Sequence, residues 1–419
     1  MQTSFKYGQA NLDFEIADKN LLGTLTPPLV GPGGDNQELV SQALLHPAGS
    51  SRLGEIIHRK AAANAVIVVN DITRPTPYRD ILPPLLEEIE AAGIPAINIK
   101  LVVALGIHRP HTREENRAIF GAEICQRYEI LNHDCDRDLL EIGQLGNGWE
   151  LSINRTVAQA DLLVTTGLVG LHYFAGYSGG RKSILPGVAS RQLIEKNHQL
   201  MADPRACLGN YRDNPVSQLM LEAARLAGVD FILNVVTASH DDIIFAAAGD
   251  LEQAWLEAVQ FCENIFVVPI PQKADVVVAG CGGYPKDINM YQAQKALDSA
   301  ALAVREGGTI ILLAECGEGL GEETFENWIL EATCPADIEK RFAEHFELGG
   351  HKAYALCRTL KTCDIWLYSS LPACTARSLF TQPLANIQDG IAAALDKYGP
   401  TASFWLMPEA PRLAVKHQK

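Results

Sequence analysis

The sequence predicts an α/β protein made of two Rossmann-like domains, with the active site in the cleft between them. Three observations support this fold class. Short apolar runs rich in β-branched residues, typical of strands buried on both faces, alternate with amphipathic helical stretches. Each run ends in a polar or glycine-rich loop. The pattern is interrupted at Pro269-Ile-Pro-Gln-Lys273, which predicts a domain boundary near residue 270.

We therefore predict an N-terminal domain over residues 1–270 and a C-terminal domain over residues 271–400 that closes the cleft. Residues 400–419 are expected to pack back on the first domain. The predicted strands of the first domain are 65–69, 97–104, 129–134, 161–166 and 231–236, and its predicted helices begin after Asn36 and cover about 79–92, 112–120, 191–201 and 251–261. The second domain is predicted to contain strands 274–279 and 307–314 and a helix that carries residues 289–297.

Composition limits the partners and the compartment. The 419 residues are enough for two domains or one large one, and a composition of 47% apolar and 20% charged residues is that of an ordinary globular protein. A net charge of −15 argues against nucleic acid or an anionic membrane as the main partner, but a local basic cluster could still bind a small anion. The ten cysteines show no Cys-x-x-Cys spacing, and no apolar run has the length of a membrane span or signal peptide. We expect a cytoplasmic protein.

Three predicted strands of the first domain are followed by loops that contain acidic, arginine or histidine side chains. Asp71 and Arg74 follow the first of these strands, His108 follows the second, and His172 lies shortly after another. Ligands of open α/β sheets bind beyond the carboxyl ends of the strands. We therefore expect these four side chains on one rim of the sheet, although each could also be an ordinary polar loop residue.

The most reactive stretch runs from His172 to His198. Gly179 and Gly180 lack Cβ and so permit sharp turns and close approach of a ligand, and Lys182 follows them on the same loop. His198 is predicted to project from the helix that comes next. From the residues alone, Lys182 could equally be a solvated or phosphate-facing charge and His198 a structural histidine.

The second domain contributes two features. Tyr291 and Lys295 are four residues apart and are predicted to share one helix face, with Gln292 beside them. The glycine-rich loop Glu315–Gly321 could cradle a phosphate through backbone N–H groups, or it could be a simple turn.

Eight short motifs follow one another in order along most of the chain. They are Asp71-x-Thr73-Arg74-Pro75, Gly106-x-His108-Arg109, His172, Gly179-Gly180-Arg181-Lys182, Pro186-Gly187, Asn197-His198, Gly282-Gly283-Tyr284-Pro285 and Tyr291-Gln292-x-x-Lys295. This ordered set resembles the signature of the nickel-dependent lactate racemase family.

The resemblance implies a cofactor that composition and spacing do not indicate. It implies that Lys182 forms a thioamide link to a nickel-pincer nucleotide, which is a pyridinium-derived group, and that His198 binds the nickel. Enzymes that assemble this cofactor would be transient partners, and a chain made without them would lack it. Further cofactor contacts are expected from Asp71, Thr73, Gly179, Gly180, Pro186, Tyr291 and Gln292.

The predicted chemistry is inversion of C2 in a 2-hydroxy acid. His108 and His172 suit proton removal on one face and return on the other, since a ring with a near-neutral pKa can act as base or acid. Arg74 would bind the substrate carboxylate with its guanidinium fork, and Lys295 would add positive charge. The resemblance implies that the C2 hydride moves to the cofactor as the hydroxyl proton leaves. The substrate is lactate or a longer or sugar-derived 2-hydroxy acid.

Two other classes of protein fit parts of the sequence. A zinc hydrolase would use His108, His111 and His133, although no glutamate base has the expected spacing. A non-catalytic nucleotide-binding or cofactor-carrier protein would need the glycines and Lys182, but it has no use for two histidines and an arginine on one rim. A dehydrogenase with a diffusible nicotinamide is disfavoured because no Gly-x-Gly-x-x-Gly follows an early strand.

Overall fold

The computed structural model describes residues 1–28, 30–31, 33–238 and 241–418, and it divides into two compact units. One unit is the continuous segment Leu29–Asn264, here called the inner unit. The other, here called the flanking unit, combines Met1–Pro28 with Ile265–Lys419. Each unit has its own sheet.

Strands and helices are numbered in chain order over the described residues. The strands are β1 (Gln2–Tyr7), β2 (Ala10–Glu15), β3 (Leu21–Thr24), β4 (Ala65–Asn70), β5 (Ile99–Ala104), β6 (Glu129–Asn132), β7 (Leu139–Gln144), β8 (Glu150–Asn154), β9 (Leu162–Leu168), β10 (Leu171–His172), β11 (Gly176–Tyr177), β12 (Phe231–Thr237), β13 (Ile243–Gly249), β14 (Val267–Ile270), β15 (Ala274–Gly280), β16 (Val304–Leu313), β17 (Cys363–Tyr368), β18 (Gln382–Pro383), β19 (Phe404–Met407) and β20 (Ala414–His417).

The α-helices are α1 (Asn36–Leu45), α2 (Leu53–Lys60), α3 (Tyr78–Ala91), α4 (Arg113–Phe120), α5 (Ala122–Arg127), α6 (Arg155–Ala158), α7 (Arg191–Gln199), α8 (Pro215–Leu226), α9 (Gln253–Phe266), α10 (Met290–Ala293), α11 (Lys295–Ala303), α12 (Glu323–Glu331), α13 (Pro335–Glu344), α14 (Gly350–Leu360), α15 (Ala373–Ser378) and α16 (Ile387–Tyr398). Short 3-10 helices cover Asp18–Asn20, Ala96–Asn98, Gly180–Ser183, Leu200–Ala202 and Ala410–Arg412.

The sheet of the inner unit has the strand order β13-β12-β9-β4-β5-β6 among the described residues. All neighbours are parallel except β13, which runs antiparallel to β12. The first five residues of β4 are buried, as expected for a strand covered on both faces. Because β4, β5 and β9 are parallel, their carboxyl ends meet at one edge of the sheet. The predicted strands of both domains are confirmed to within a few residues.

Helices cover the inner sheet and close its core. Leu82, Leu85 and Ile89 of α3 are buried with Ile67 of β4 in one apolar cluster. Ile97 is 84% exposed and belongs to a 3-10 helix, so β5 begins two residues later than predicted. Because the Ile97 side chain stays in solvent, extending the strand to include it would bury no additional apolar surface.

The sheet of the flanking unit corrects the predicted domain composition. Its described strands run in the order β18-β17-β16-β15-β19-β3, and all neighbouring pairs are parallel. Residues 1–28 therefore belong to this unit and not to the first domain, because β3 pairs with β19. The tail 400–419 also lies in this unit, since β20 pairs with β14. The side-chain amide of Asn20 donates to the carbonyls of Pro400 and Ala402 at 3.0 and 2.8 Å, which fixes this edge.

The helix predicted over residues 289–297 is interrupted. Helix α10 ends at Ala293 and α11 begins at Lys295, so Tyr291 and Lys295 lie in consecutive helices and not on one face of a single helix. The interruption falls at Gln294, whose buried amide donates to Asp298 and accepts from the Lys352 ammonium.

Two further properties concern the cysteines and the helices. All ten cysteines are free thiols. In the part of the chain that the structure describes, none of the helices combines the length and apolar character that crossing a membrane requires.

The assignment of residues 1–28 to the flanking unit predicts a selective effect of Phe404→Ala. Phe404 is fully buried next to Leu21 and Val276, so its truncation should destabilise this unit by about 3–5 kcal/mol. Hydrogen exchange followed by mass spectrometry should show faster exchange in β3 and β15 and unchanged exchange in β4. The exposed change Ile97→Ala should alter neither unit, and unchanged exchange in β3 of Phe404→Ala would contradict the assignment.

Candidate active site

The first part of the site is a tight turn after β4. The N–H of Arg74 donates to the carbonyl of Asp71 at 3.0 Å, which closes the turn. The Thr73 hydroxyl donates to Oδ1 of Asp71 at 2.7 Å. Asp71 is buried, whereas the side chain of Arg74 is exposed. The turn therefore holds a carboxylate inward and a guanidinium outward within four residues.

His108 meets this turn from the loop after β5. Its Nδ1–H donates to Oδ2 of Asp71 at 2.6 Å. Burial alone would raise the pKa of Asp71, but the hydrogen bonds from His108 and Thr73 and the charge of Arg74 together hold this pKa below its usual value. The carboxylate stays ionised at neutral pH, and it fixes the His108 ring with the lone pair on Nε2.

The second part of the site is the segment from β10 to the 3-10 helix Gly180–Ser183. Gly179 has φ of +77°, and a Cβ there would lie 2.5 Å from Cγ2 of Val169, so only glycine fits. The N–H of Gly180 donates to Oδ1 of Asn234 in β12 at 2.9 Å. This anchoring holds Lys182 at the carboxyl end of the inner sheet.

Lys182 lies against His172. Its Nζ is 2.9 Å from Nε2 of His172. The N–H of Ala175 donates to Nδ1 of the same ring at 3.3 Å, so the neutral ring has its proton on Nε2, facing the lysine. A neutral amine can accept that proton in a hydrogen bond, whereas an ammonium cannot.

The charges around Lys182 favour the neutral amine. Burial, together with the positive charges of Arg74 and Arg181, holds the pKa of Lys182 well below its usual value. Arg181 is itself 1% exposed, and its guanidinium stacks 3.8 Å from the centre of the Trp255 ring. It donates to the Ser217 hydroxyl at 2.8 Å, and no carboxylate of the described residues pairs with it.

His198 completes the group from helix α7. Its Nδ1–H donates to the carbonyl of Ile194 at 2.8 Å, which leaves the lone pair on Nε2. The pKa of His198 is lowered to about 4, mainly by burial, although the hydrogen bond to Ile194 opposes this shift. The Phe174 ring touches both His172, at 4.6 Å between ring centres, and His198, at 5.1 Å. The structure thus brings His172, Lys182 and His198 together.

The two loops that carry His108 and Lys182 are joined at Pro186-Gly187. The N–H of Gly106 donates to the carbonyl of Gly187 at 2.9 Å. A Cβ on Gly187 would lie 2.2 Å from the carbonyl oxygen of Ser183, so this position requires glycine. Pro186 follows a cis peptide bond, and its carbonyl lies near Gly106.

The zinc site considered for His108, His111 and His133 is not assembled. His111 uses both ring nitrogens, one accepting from the Ile72 N–H and one donating to Asn116. His133 is buried against the carbonyl of Ala189, and burial lowers its pKa to about 4. Among the described residues, the one group of three metal-type ligands within 4.8 Å of one another is Asp134, Cys135 and Asp136. Of these, Asp136 is bonded to Arg191 through both oxygens.

The residues predicted in the second domain lie in the flanking unit. The Lys295 ammonium donates to Oε1 of Gln292 at 2.6 Å, and the Tyr291 ring packs edge-on against Phe325. The glycine-rich loop after β16 fits the turn interpretation better than the phosphate one. The N–H groups of Cys316 and Glu318 already donate to the carbonyls of Asp287 and Ile288 in the loop after β15, so they are not available to a phosphate.

Several residues of the site were not predicted. Phe174 and Arg181 lie inside the glycine-rich motif, where no periodicity marks a buried side chain. Trp255 and Asn234 come from distant parts of the chain and reach the motif only through the fold. For Arg181, the sequence offers one signal, which is its position next to Lys182. Two neighbouring positive charges in a stretch of small residues indicate an electrostatically unusual site.

Comparisons with known proteins agree with this architecture. Residues 7–209 match the family model described as lactate racemase N-terminal domain, and residues 270–411 match the lactate racemase C-terminal domain. The chain is 39% identical over 338 residues to a lactate racemase of Thermoanaerobacterium thermosaccharolyticum, covering 79% of this chain and 78% of that protein. It is 37% identical over 338 residues to a lactate racemase of Lactiplantibacillus plantarum, covering 79% of each chain.

Solved structures extend the match to the whole fold. The lactate racemase apoprotein of T. thermosaccharolyticum superposes with a TM-score of 0.89 at 32% identity, covering 99% of this chain and 100% of that one. A protein of Thermotoga maritima, with a TM-score of 0.62 at 19% identity over 92% of this chain and 100% of that one, shares the fold alone.

The matched family models and relatives place the chain among the α/β racemases, which are isomerases. The chain belongs to the lactate racemase family.

The electrostatic coupling of Arg74 to Lys182 can be tested on the protein as purified. Arg74→Gln removes a positive charge that disfavours the ammonium, so the pKa of Lys182 should rise. The pH at which half of Lys182 reacts with an amine-acylating reagent, measured by peptide mass spectrometry, should then move upward. Arg109→Gln is the matched control, because Arg109 is exposed and paired with Glu115. An unmoved midpoint in Arg74→Gln would show that the two groups are not coupled.

Proposed function

We propose that this protein inverts C2 of lactate or a related 2-hydroxy acid, using a nickel-pincer nucleotide attached at Lys182. The observation that carries the proposal is that Lys182, with a pKa well below its usual value, lies near His198 and near the Asp71–His108 pair. These are the groups that covalent attachment, metal binding and proton transfer each require.

The residues present fit this cofactor. An amine whose pKa is well below its usual value is nucleophilic at neutral pH, as covalent attachment needs. His198 directs its Nδ1–H to a carbonyl, and a neutral imidazole nitrogen is a ligand that suits nickel. A nickel ion at His198 would take its other ligands from the nucleotide, since the described residues assemble no three-ligand protein group there. When bound, the cofactor supplies a reversible acceptor for the C2 hydride.

Thr73, Gly179, Gly180 and Pro186 remain predicted cofactor contacts in the inner unit. Thr73 and the two glycines already have defined roles in shaping the loops around Asp71 and Lys182. The glycines leave the backbone open to close approach by a nucleotide. Tyr291 and Gln292 remain predicted cofactor contacts from the flanking unit.

His108 handles the proton of the 2-hydroxyl group. With Nδ1–H bonded to ionised Asp71, the ring presents Nε2 as a base, and the carboxylate stabilises the imidazolium that forms. We predict that His172 is the corresponding group for the opposite face. As described, His172 presents a proton at Nε2 and suits the acid, while His108 suits the base, and the reverse direction requires the two rings to exchange these protonation states.

Arg74 binds the substrate carboxylate. Its exposed guanidinium lies beside Thr73 at the end of the turn, where a planar fork can take both oxygens. Lys295 is predicted to add positive charge to the same group, and Lys295→Met tests that role through the KM for the substrate.

The proposal includes the setting in which the enzyme works. A small 2-hydroxy acid is the substrate, and cofactor-assembly enzymes are transient partners. A cytoplasmic location agrees with ten free thiols, which a reducing compartment maintains.

Asp71→Asn and His108→Asn should each lower the racemisation rate by about 10²–10⁴-fold, because both remove the proton-transfer pair. Chiral chromatography of a panel of 2-hydroxy acids, from lactate to polyhydroxy acids, measures the rate and identifies the substrate. His58→Asn, a change of an exposed helical histidine, is the control and should retain full activity. Full activity in His108→Asn would refute the assigned base.

Lys182→Arg should abolish covalent attachment, because an arginine cannot provide a neutral amine. Circular dichroism checks that the fold survives the permanent charge that the arginine places beside Arg181. The chain is co-produced with the cofactor-assembly enzymes, and its intact mass is measured. Wild-type protein should carry added mass at Lys182, and Lys182→Arg should show the mass of the polypeptide alone. An adduct on another residue, or zinc in place of nickel by metal analysis, would contradict the proposal.

A further inference from the structure

We propose that His111 is a positioning residue that holds the Asp71–Arg74 turn in place for proton transfer. The inference rests on the proposed function, in which Asp71 and His108 act as a pair. His111 was considered above only as a zinc ligand, and its contacts indicate a different role.

The turn is anchored through one backbone group. The N–H of Ile72 donates to Nε2 of His111 at 2.9 Å. Ile72 is the second residue of the turn, where the turn itself offers this N–H no acceptor. Its side chain is 48% exposed, so packing does little to hold this residue. In the described part of the chain, His111 is therefore the group that fixes the middle of the turn.

His111 is itself held rigidly. Its Nδ1–H donates to Oδ1 of Asn116 at 3.0 Å, which sets the tautomer that makes Nε2 an acceptor. Asn132, the last residue of β6, bonds both the N–H and the carbonyl of His111, at 3.2 and 3.0 Å. The next residue, Thr112, caps α4 together with Glu115. The anchor is thus fixed to a strand end and to a helix start.

Two histidines of the β5–α4 loop, His108 and His111, contact the turn, one as a hydrogen-bond donor and the other as an acceptor. His108 donates to the Asp71 side chain, and His111 accepts from the adjacent Ile72 backbone. A shift of the turn away from His111 would also lengthen the Asp71–His108 bond, since Asp71 and Ile72 are consecutive. His111 therefore acts on the reaction through Asp71, without touching the substrate.

Two substitutions separate the two hydrogen bonds of the ring. His111→Gln can place a carbonyl oxygen near the position of Nε2 and so keep the bond to Ile72. His111→Asn can place an amide near the position of Nδ1, which keeps the bond to Asn116 and loses the one to Ile72. In the cofactor-loaded enzyme, kcat/KM should fall about 10–100-fold in His111→Asn, and His111→Gln should retain most of the wild-type value.

A spectroscopic readout tests the mechanism without activity. The hydrogen-bonded Nδ1 proton of His108 should give a downfield NMR signal in the ¹⁵N-histidine-labelled full-length chain, assigned by its loss in His108→Asn. The signal should be lost or broadened in His111→Asn and kept in His111→Gln. Should His111→Asn fail to fold by circular dichroism, Asn116→Leu, which releases the tautomer of His111, should weaken the same signal.

The outcomes are distinct. A normal rate with a normal signal in His111→Asn overturns the proposal, and so does a reduced rate with an unchanged signal, because His111 would then not act through Asp71. A signal lost in His111→Asn and kept in His111→Gln supports the positioning role. If the wild-type enzyme racemises no 2-hydroxy acid while this NMR pattern holds, the proposed function fails and the anchoring of the turn stands.

Discussion

The contact between Lys182 and His172 is the interaction on which the rest of the site depends. The contact favours an amine without a proton, and burial, together with two arginines, lowers the pKa of that amine well below its usual value. Placing a buried Arg181 next to a lysine disfavours a second positive charge, so the reactive group is prepared by the fold before any ligand arrives. This arrangement leaves the buried Arg181 guanidinium without a carboxylate partner among the described residues. Backbone carbonyls, the Ser217 hydroxyl and the Trp255 indole ring hold it instead.

Hydrogen bonds to the histidine rings define the chemistry further. His108, His111 and His198 each donate through Nδ1, to a carboxylate, an amide and a carbonyl respectively, so each presents Nε2 as an acceptor. His172 is the exception, because a backbone N–H occupies its Nδ1 and its proton lies on Nε2. One type of side chain can therefore present either a lone pair or a proton at Nε2, according to what binds its other nitrogen.

The parts of the fold that local sequence patterns determine could be predicted. The apolar runs of β4, β5 and β9 predicted the strands, and the rule for parallel sheets placed Asp71 and His108 at one edge. The features that depend on contacts between distant residues could not be predicted from the sequence. The pairing of Leu21 with Phe404 joins residues 1–28 to the flanking unit, and the bonds of Gln294 interrupt a helix that local pattern favours. The role of His111 depends on the backbone of Ile72, which no side-chain pattern reveals.

The parallel pairing of β3 with β19 has a consequence for biosynthesis. Leu21 is translated long before its partner Phe404. The continuous segment 29–264 contains every strand of its own sheet, so it can fold while the remainder is still being translated. Strand β3 must wait for its partner β19 to be translated, and closing that long loop is expected to be a late and slow step of maturation.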